Sequence, residues 1–590
     1  MPKPTPKKGG QARRKGPAPH PKAGPNPPQK GKPAPQREGR QELPAQTLTC
    51  TRLDSRGRGL CSCRGREIAV PGLLPGEVAE VALSRRFGAY TGAVRALKKA
   101  SPLRQKPPCP YADRCGGCQL LQLQYEGQLA EKQARAEALL GCFGPVEPIL
   151  PAPDPLGYRC KAHLAAGRDR GGRPVTGIYQ EHSHRLVPVK HCLLHHPLAD
   201  QIIATVRELM KPFKIAPFDE DTGEGFLRHI LVRVGQQTGE AIVVLVAAYT
   251  LFPGQGGFVR ALRSRHPEIK TVVLNVNNRE TSAVLGEYEK VLYGPGFIED
   301  ALCGLRFRIS PRSFFQVNPR QTERLYAAAV EMAGLTGSES VVDAYCGIGT
   351  IALLAAGRAK QVLGVEHNRD AVRDAVGNAR KNGVKNARFV AADAGEYLVR
   401  MAEDGQRVDV VFMDPARAGS TPDFLEALAA IAPAKIVYIS CNPETQQRDV
   451  NALCRAGYRV GRIQPVDMFP QTAHLETVCL LSREKSVKRY VHVDVTPEEL
   501  GMRGRSKNVK HPTYPQIREY VKEKHGLTVS SANIASVKDE CGMEKQFSYK
   551  EAGMAAKKRP NCPKKKRDAI VEAFVHFGML SQSDAEALDA

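Results

Sequence analysis

The chain has 590 residues, with 86 Lys and Arg against 61 Asp and Glu and a net charge of +25. That length allows several domains, and the basic excess suits a polyanionic partner such as nucleic acid. There is no apolar run of bilayer length, and the Pro/Lys-rich start lacks a signal-peptide core, so a soluble cytoplasmic monomer without membrane contact is expected. The 16 cysteines then read as thiols, catalytic groups or cluster ligands, not disulfides.

Residues 1–44, rich in Pro, Gly, Lys and Arg without apolar periodicity, predict a disordered basic tail that either brushes RNA or only solubilises the chain. Across 45–103 the runs Thr47–Leu53, Glu67–Val70, Glu77–Leu83 and Ala89–Leu97 read as short strands, with Gly57, Gly59, Gly72 and Gly76 as turns. Such strands predict a small OB-like barrel, a frequent oligonucleotide binder. The run Val70-Pro-Gly-Leu-Leu-Pro-Gly-Glu77 looks like the TRAM module of RNA-modifying enzymes, and Arg85, Arg86, Lys98 and Lys99 supply charge for phosphate.

Residues 104–320 read as a central α+β domain. They open on a cysteine cluster, continue in an amphipathic helix around Leu120–Leu140, and carry apolar runs at Ala241–Ala248 and Thr271–Val276. From 321 to 483, strand-like runs at Ser340–Ala344, Gln361–Glu366, Arg388–Val390, Val408–Asp414 and Lys435–Ser440 alternate with helical patterns. That alternation predicts a Rossmann-like, doubly wound parallel sheet. Tyr458–Val466 and Thr477–Leu481 have no helix between them, so an antiparallel end is expected. The basic extension 484–590 holds two helical patterns, Pro515–His525 and one from Ser530/Ser531 to Cys541, that resemble a helix-turn-helix, followed by Lys557–Arg559 and Lys564–Arg567. It reads either as an extra RNA-binding module or as a solvated appendage.

Three constellations carry chemistry. Cys109-x5-Cys115-x2-Cys118 places three thiols within ten residues, with Cys192 as candidate fourth ligand; such soft donors select zinc or an iron–sulfur cluster. Val341-Val-Asp-Ala-Tyr-Cys-Gly-Ile-Gly-Thr350 is a strand entering a Gly-x-Gly turn and a helix. Glu366 ends the next strand, where a carboxylate can accept from both ribose hydroxyls. With Asp343 and Asp393 also following apolar runs, and no third glycine, the pattern fits S-adenosylmethionine (SAM) better than NAD. Finally, Asp414-Pro-Ala-Arg-Ala-Gly419 closes one strand, Cys441 ends the next in Ser-Cys-Asn-Pro-Glu-Thr, and Gln471-Thr-Ala-His-Leu-Glu476 precedes the last. These residue types fit methylation at C5 of uracil. C5 is too weak a nucleophile until a thiolate adds at C6, and a base must later remove the C5 proton so that the thiolate can leave. Cys441 and Glu476 are the candidates, with Arg417 favouring the thiolate, and the base must be single-stranded or flipped out. Cys346, Cys454 and Cys479 read as buried structural thiols.

Taken together, the TRAM-like segment, Cys-Pro-x4-Cys-Gly-Gly-Cys (109–118), Ser-Phe-Phe-Gln-Val-Asn (313–318), the Gly-x-Gly turn, Asp-Pro-Ala-Arg-Ala-Gly, Ser-Cys-Asn-Pro-Glu-Thr and His-Leu-Glu resemble, across about 45–483, the RNA 5-methyluridine methyltransferases of the 23S rRNA (uracil-5-)-methyltransferase, or RumA, type. The resemblance implies a [4Fe-4S] cluster on Cys109, Cys115, Cys118 and Cys192. It implies SAM contacts from Gln316, Tyr345, Glu366, Asp393 and Asp414, with Cys441 as nucleophile and Glu476 as proton acceptor. Thr350, where many relatives carry Asn, is left out of the contacts. The tRNA-specific branch usually lacks the barrel and the cysteine set, so a 23S rRNA substrate is expected. The rivals are the same reaction on tRNA, an RNA-binding protein with an inactive methyltransferase domain, and electron transfer by the cluster.

Overall fold

The computed structural model describes residues 41–483, apart from 87–88, 181–182, 184, 221 and 280–282, together with 514–541 and 563–580 apart from 578. The tail 1–40, the segment 484–513 and Lys557–Arg559 lie outside the described residues. Two compact units separate, at Val487/Lys488.

The first unit begins with five strands, β1 (Gln41–Leu53), β2 (Gly59–Cys63), β3 (Arg66–Val70), β4 (Val78–Arg86) and β5 (Ala89–Lys99). They close into a barrel in the order β1-β2-β3-β5-β4. A register shift between Leu43 and Gln46 bends the long β1, as closure requires. Alternate residues Leu48, Cys50, Ile68, Val70, Ala79, Val81 and Leu83 fill the interior. Gly59, read as a turn from sequence, instead opens β2, because a Cβ there would stand 2.6 Å from the Leu73 carbonyl oxygen. Glu77, fully buried, takes the amides of Leu74 and Ser101 and the guanidinium of Arg104, which fixes the exit from the barrel.

Next come α1 (Tyr125–Leu140), β6 (Lys161–Arg168), β7 (Pro174–Tyr179), β8 (Leu186–Pro188), α2 (Pro197–Met210), β9 (Leu227–Val234), β10 (Ala241–Ala247), α3 (Gln255–Arg265), β11 (Ile269–Val276) and β12 (Tyr288–Tyr293). The seven strands form one sheet ordered β12-β11-β10-β9-β6-β7-β8. Only β10 and β11, joined by the α3 crossover, run parallel. The apolar stripes of α2 and α3 (Ile202, Val206, Phe258, Leu262) cover one face of the sheet. On the other face, Leu231, Ile242, Val244 and Val246 share a core with the C-terminal half of the unit. A hairpin of β13 (Ile298–Leu302) and β14 (Leu305–Ile309) joins that same core.

The C-terminal half of the unit is built from α4 (Pro319–Ala333), β15 (Ser340–Asp343), α5 (Thr350–Ala356), β16 (Gln361–Glu366), α6 (Arg369–Lys381), β17 (Ala387–Ala391), α7 (Ala394–Glu403), β18 (Val410–Met413), α8 (Pro422–Ile431), β19 (Lys435–Ser440), α9 (Pro443–Arg455), β20 (Tyr458–Val466) and β21 (Glu476–Arg483), its strands forming one sheet. Its order is β17-β16-β15-β18-β19-β21-β20, parallel except for β21, which inserts antiparallel between β19 and β20. The alternation of apolar strands and amphipathic helices thus gives the doubly wound sheet with the expected antiparallel end. Helix α1 packs here, with Leu140 in the core beside Tyr458, Val460 and Ile463. The strand-like stretch after it bridges β20 at Val146/Ile463 and Leu150/Val466, sealing what is otherwise an open sheet edge.

The second unit has α10 (Tyr514–His525), α11 (Ser531–Glu540) and α12 (Lys564–His576). They surround their own core of Ile517, Val521, Val529, Ile534, Val537, Ile570 and Phe574. Gly526, with φ +65°, ends α10.

Candidate active site

The carboxyl ends of β15, β16, β18 and β19 gather the residues singled out in the sequence. After β15 the chain turns through Gly347 (φ 55°) and Gly349 (φ 85°) into α5. A Cβ on Gly349 would meet the Phe389 ring at 3.0 Å, so the close approach needs glycine. Asp343 is fully buried, and one carboxyl oxygen accepts from the Ala352 amide at 2.9 Å. The other has no partner among the described residues. Burial raises its pKa to about 7, with Asp414 and Glu366 adding to the rise. Glu366 accepts from the amides of Gly347 (3.1 Å) and Asn368 (2.7 Å), which holds its carboxylate at the turn.

A small pocket lies over this turn; Gln316, Tyr345, Asp414, Phe315, Tyr326 and Thr350 are among its lining residues. Three of the five expected cofactor contacts therefore line it, and Glu366 adjoins it through Gly347. Asp393 does not line it. It is exposed and caps α7, accepting from the amides of Gly395 and Glu396. Tyr326 and Thr350 line the cavity without having been singled out as contacts. Tyr326 sits on the buried stripe of α4, where an aromatic reads as core, and Thr350 departs from the resemblance. Phe314, 67% exposed, stands at the rim as an uncovered aromatic face.

The thiol of Cys441 and the carboxyl of Glu476 belong to one electrostatic set. Ser440 pairs with Thr477 across β19 and β21, so the residues on either side of that pair approach each other at the sheet end. Cys441 is half-buried; burial raises its pKa to about 11, with Glu476 and Asp414 adding and Arg417 opposing. Glu476 is 2% exposed. Burial, reinforced by Asp414, raises it to about 8 against the pull of Arg417, and Asp414 is itself raised by burial to about 7. A carboxyl group poised near neutrality beside a thiol suits proton transfer.

Arg417 is the cation facing this set, and its neighbours fix it. Its carbonyl accepts from the Asn442 side chain at 2.9 Å and from the Thr445 hydroxyl at 3.2 Å. Its guanidinium reaches the His474 ring at 3.2 Å. Burial and Arg417 lower His474 to about 4, so the imidazole is neutral and can accept. His474 was visible only as a member of a motif, since its partner lies 57 residues away.

The loop carrying His474 is gripped by α1. Lys132 donates to Asp467 at 2.6 Å and to the Phe469 carbonyl at 3.1 Å. Tyr125 donates to the other Asp467 oxygen at 2.8 Å. Gln128 exchanges two hydrogen bonds of 2.9 Å with Gln471, whose backbone is left-handed at φ 68°. Arg135 donates to the Ala473 carbonyl at 2.9 Å. Gln128, Lys132 and Arg135 follow one helical face.

Cys109, Cys115, Cys118 and Cys192 are half-buried and adjoin one another. Cys118 is pushed to about 12 by burial, then by Cys192, Cys115 and Cys109. Although burial works against it, His195 holds Cys192 below the usual thiol range, and Asp200 in turn binds the His195 ring at 2.7 Å. Among the described residues no group of three or more His, Cys, Asp or Glu is placed to hold a metal ion. As expected, Cys346 and Cys479 are buried; Cys454 is half-buried.

Comparison with known proteins gives this arrangement its family. Residues 297–484 match the tRNA (uracil-5-)-methyltransferase family model. The chain is 41% identical over 439 residues to an uncharacterised RNA methyltransferase of Caldanaerobacter subterraneus subsp. tengcongensis, covering 73% of this chain and 97% of the relative. It is 39% identical to one from Halalkalibacterium halodurans, covering 74% and 96%. Among solved structures, the Pyrococcus abyssi tRNA (uracil-54, C5)-methyltransferase in complex with S-adenosyl-L-homocysteine aligns with a TM-score of 0.62 and 29% identity, over 74% of this chain and 99% of that one. This chain belongs to the RNA (uracil-5-)-methyltransferase family and is a SAM-dependent RNA-modifying methyltransferase.

Proposed function

We propose that the protein methylates C5 of a uridine in 23S rRNA through a covalent bond from Cys441 to C6. The observation that carries this reading is the electrostatic set of Cys441, Glu476, Asp414 and Arg417 at the ends of adjacent strands. Cys441 adds to C6 as the thiolate, favoured by Arg417, and its electrons flow to the uracil carbonyl as an enolate. Bound SAM supplies the methyl group to C5. Glu476 takes the C5 proton, the electrons of that bond restore the C5–C6 double bond, and the thiolate departs. Asp343, with its unpartnered buried oxygen, supports a cofactor with donors at that place. Gln316, Tyr345, Glu366 and Asp414 are assigned to SAM; Asp393 keeps its assignment through the resemblance, although its side chain caps α7.

The central sheet also holds donors without partners. Lys161 and Arg233 are cross-strand partners on β6 and β9, a like-charge pairing that costs stability. Arg233 is 3% exposed, and its Nη1 has no partner among the described residues. Beside them the His163 and His229 rings lie 4.9 Å apart, each with an unpartnered nitrogen. RNA contact is supported at the cavity rim, where the exposed Phe314 offers a stacking face for an extruded base.

The adjacency of Cys109, Cys115, Cys118 and Cys192, seen in the way the neighbouring thiols add to the raised pKa of Cys115 and Cys118, supports a [4Fe-4S] cluster on these four residues. No helix among the described residues is long and apolar enough to cross a membrane; the cytoplasmic, monomeric setting is part of the proposal.

The tRNA reading keeps one specific support: the solved tRNA enzyme aligns over 74% of this chain, more than the catalytic domain supplies. The N-terminal domains therefore do not by themselves select rRNA. Nucleoside mass spectrometry of unmodified 23S rRNA and bulk tRNA, each incubated with anaerobically purified protein and SAM, decides. 5-Methyluridine in 23S rRNA alone is expected. Product in tRNA alone overturns the substrate and keeps the chemistry, and product in neither returns the chain to an RNA-binding role.

A further inference from the structure

The alignment with the Caldanaerobacter relative takes in 439 residues, 97% of that chain, a length that the first unit alone accommodates. The second unit has its own core. Its charge is arranged unlike that of a simple solubilising helix. Lys564, Lys565, Lys566 and Arg567 occupy the first turn of α12, where the helix macrodipole already disfavours cations. Lys524 and His525 are engaged by Glu572, and Lys538 lies over the Tyr514 ring. Among the described residues, no carboxylate pairs with Lys564, Lys565 or Lys566, and Lys564 and Lys565 are exposed. In sequence, Lys557, Lys558 and Arg559 precede them with no acidic residue between.

We propose that this basic face of the second unit binds the phosphate backbone of the substrate RNA, away from the methylated uridine, and so raises the affinity of the whole enzyme for long RNA. A concentrated, unneutralised row of lysines fits a polyanion held by sequence-independent contacts. Linking that contact to the catalytic unit through one chain makes the second binding event intramolecular. The inference rests on the RNA-methyltransferase reading of the first unit.

The test uses the full chain with Lys564, Lys565 and Lys566 all changed to Gln, beside a variant with all three changed to Arg. Equilibrium binding to a transcribed 23S rRNA fragment is measured across a salt series, with KM for methylation of the same fragment. Loss of three phosphate contacts is expected to flatten the slope of log affinity against log salt by about 2 to 3. Affinity is expected to fall about tenfold near physiological salt and KM to rise with it, while the Arg variant keeps the native values. Unchanged affinity and slope in the Gln variant overturn the proposal and leave the face to an acidic protein partner. An equal loss in the Arg variant also overturns it, since charge is then not what binds. If the native chain binds RNA with the expected slope but transfers no methyl group, the catalytic reading fails and this one stands.

Discussion

Glu476 opens β21 in a place where its charge is costly, and that has a measurable sign. Its folded pKa of about 8 lies above the ordinary carboxyl value near 4.3. The folded protein therefore holds a proton that the unfolded chain releases, and stability from this group falls as pH rises from about 4.5 through about 8. Glu476→Gln should accordingly raise the melting temperature more at pH 8.5 than at pH 5; an equal shift at both pH values removes the assigned burial effect. In single-turnover methylation, the native rate should climb with pH through about 8 as Glu476 becomes able to accept a proton. The Gln variant should instead accumulate a protein–RNA adduct resistant to denaturing gels. Cys441→Ala should lose methylation entirely, with no adduct, while RNA affinity persists in filter binding; lost affinity argues against the assigned role. Cys441 and Glu476 were legible because each sits where an apolar strand meets a turn. Tyr326 and the His474–Arg417 contact were not, since nothing in a linear pattern tells a cavity-lining aromatic from core, or joins residues 57 positions apart.

At the scale of elements, α1 is the unexpected participant. Its amphipathic pattern predicts a helix, and the helix exists; that its polar face holds the loop before β21 depends on a contact across 335 residues, which periodicity cannot report. Lys132 is 3% exposed and Asp467 is buried. Lys132→Ala leaves a buried carboxylate without its cation, which costs about 3–5 kcal/mol. Chemical denaturation should show that loss. Because Asp467, Phe469, Gln471 and Ala473 are all held from α1, the turnover number should fall alongside, with KM for SAM little changed. Preserved turnover in a stably folded variant would show that the loop keeps its shape unaided. The barrel and the doubly wound sheet were legible because period-two runs and strand–helix alternation are local signals. Gly59 was misread because its reason for being glycine, the nearby Leu73 carbonyl, is a tertiary contact.

For the whole molecule, the seal along β20 sets an order of events. The stretch 146–150 leaves the ribosome more than 300 residues before the strand it covers, and closing so long a loop is entropically slow. During synthesis the early segment waits without its partner, and the completed catalytic sheet then shows a bare edge until the two meet. The C-terminal sheet thus takes the cover of its edge strand from residues outside its own span. A fragment of 297–484, the span of the family match, should aggregate on expression while 41–484 stays monodisperse in size-exclusion chromatography; a monodisperse short fragment would show the edge to be harmless. Sequence recombination that exchanges catalytic domains between relatives would then fail at this seam unless the distant five-residue strip travels with them.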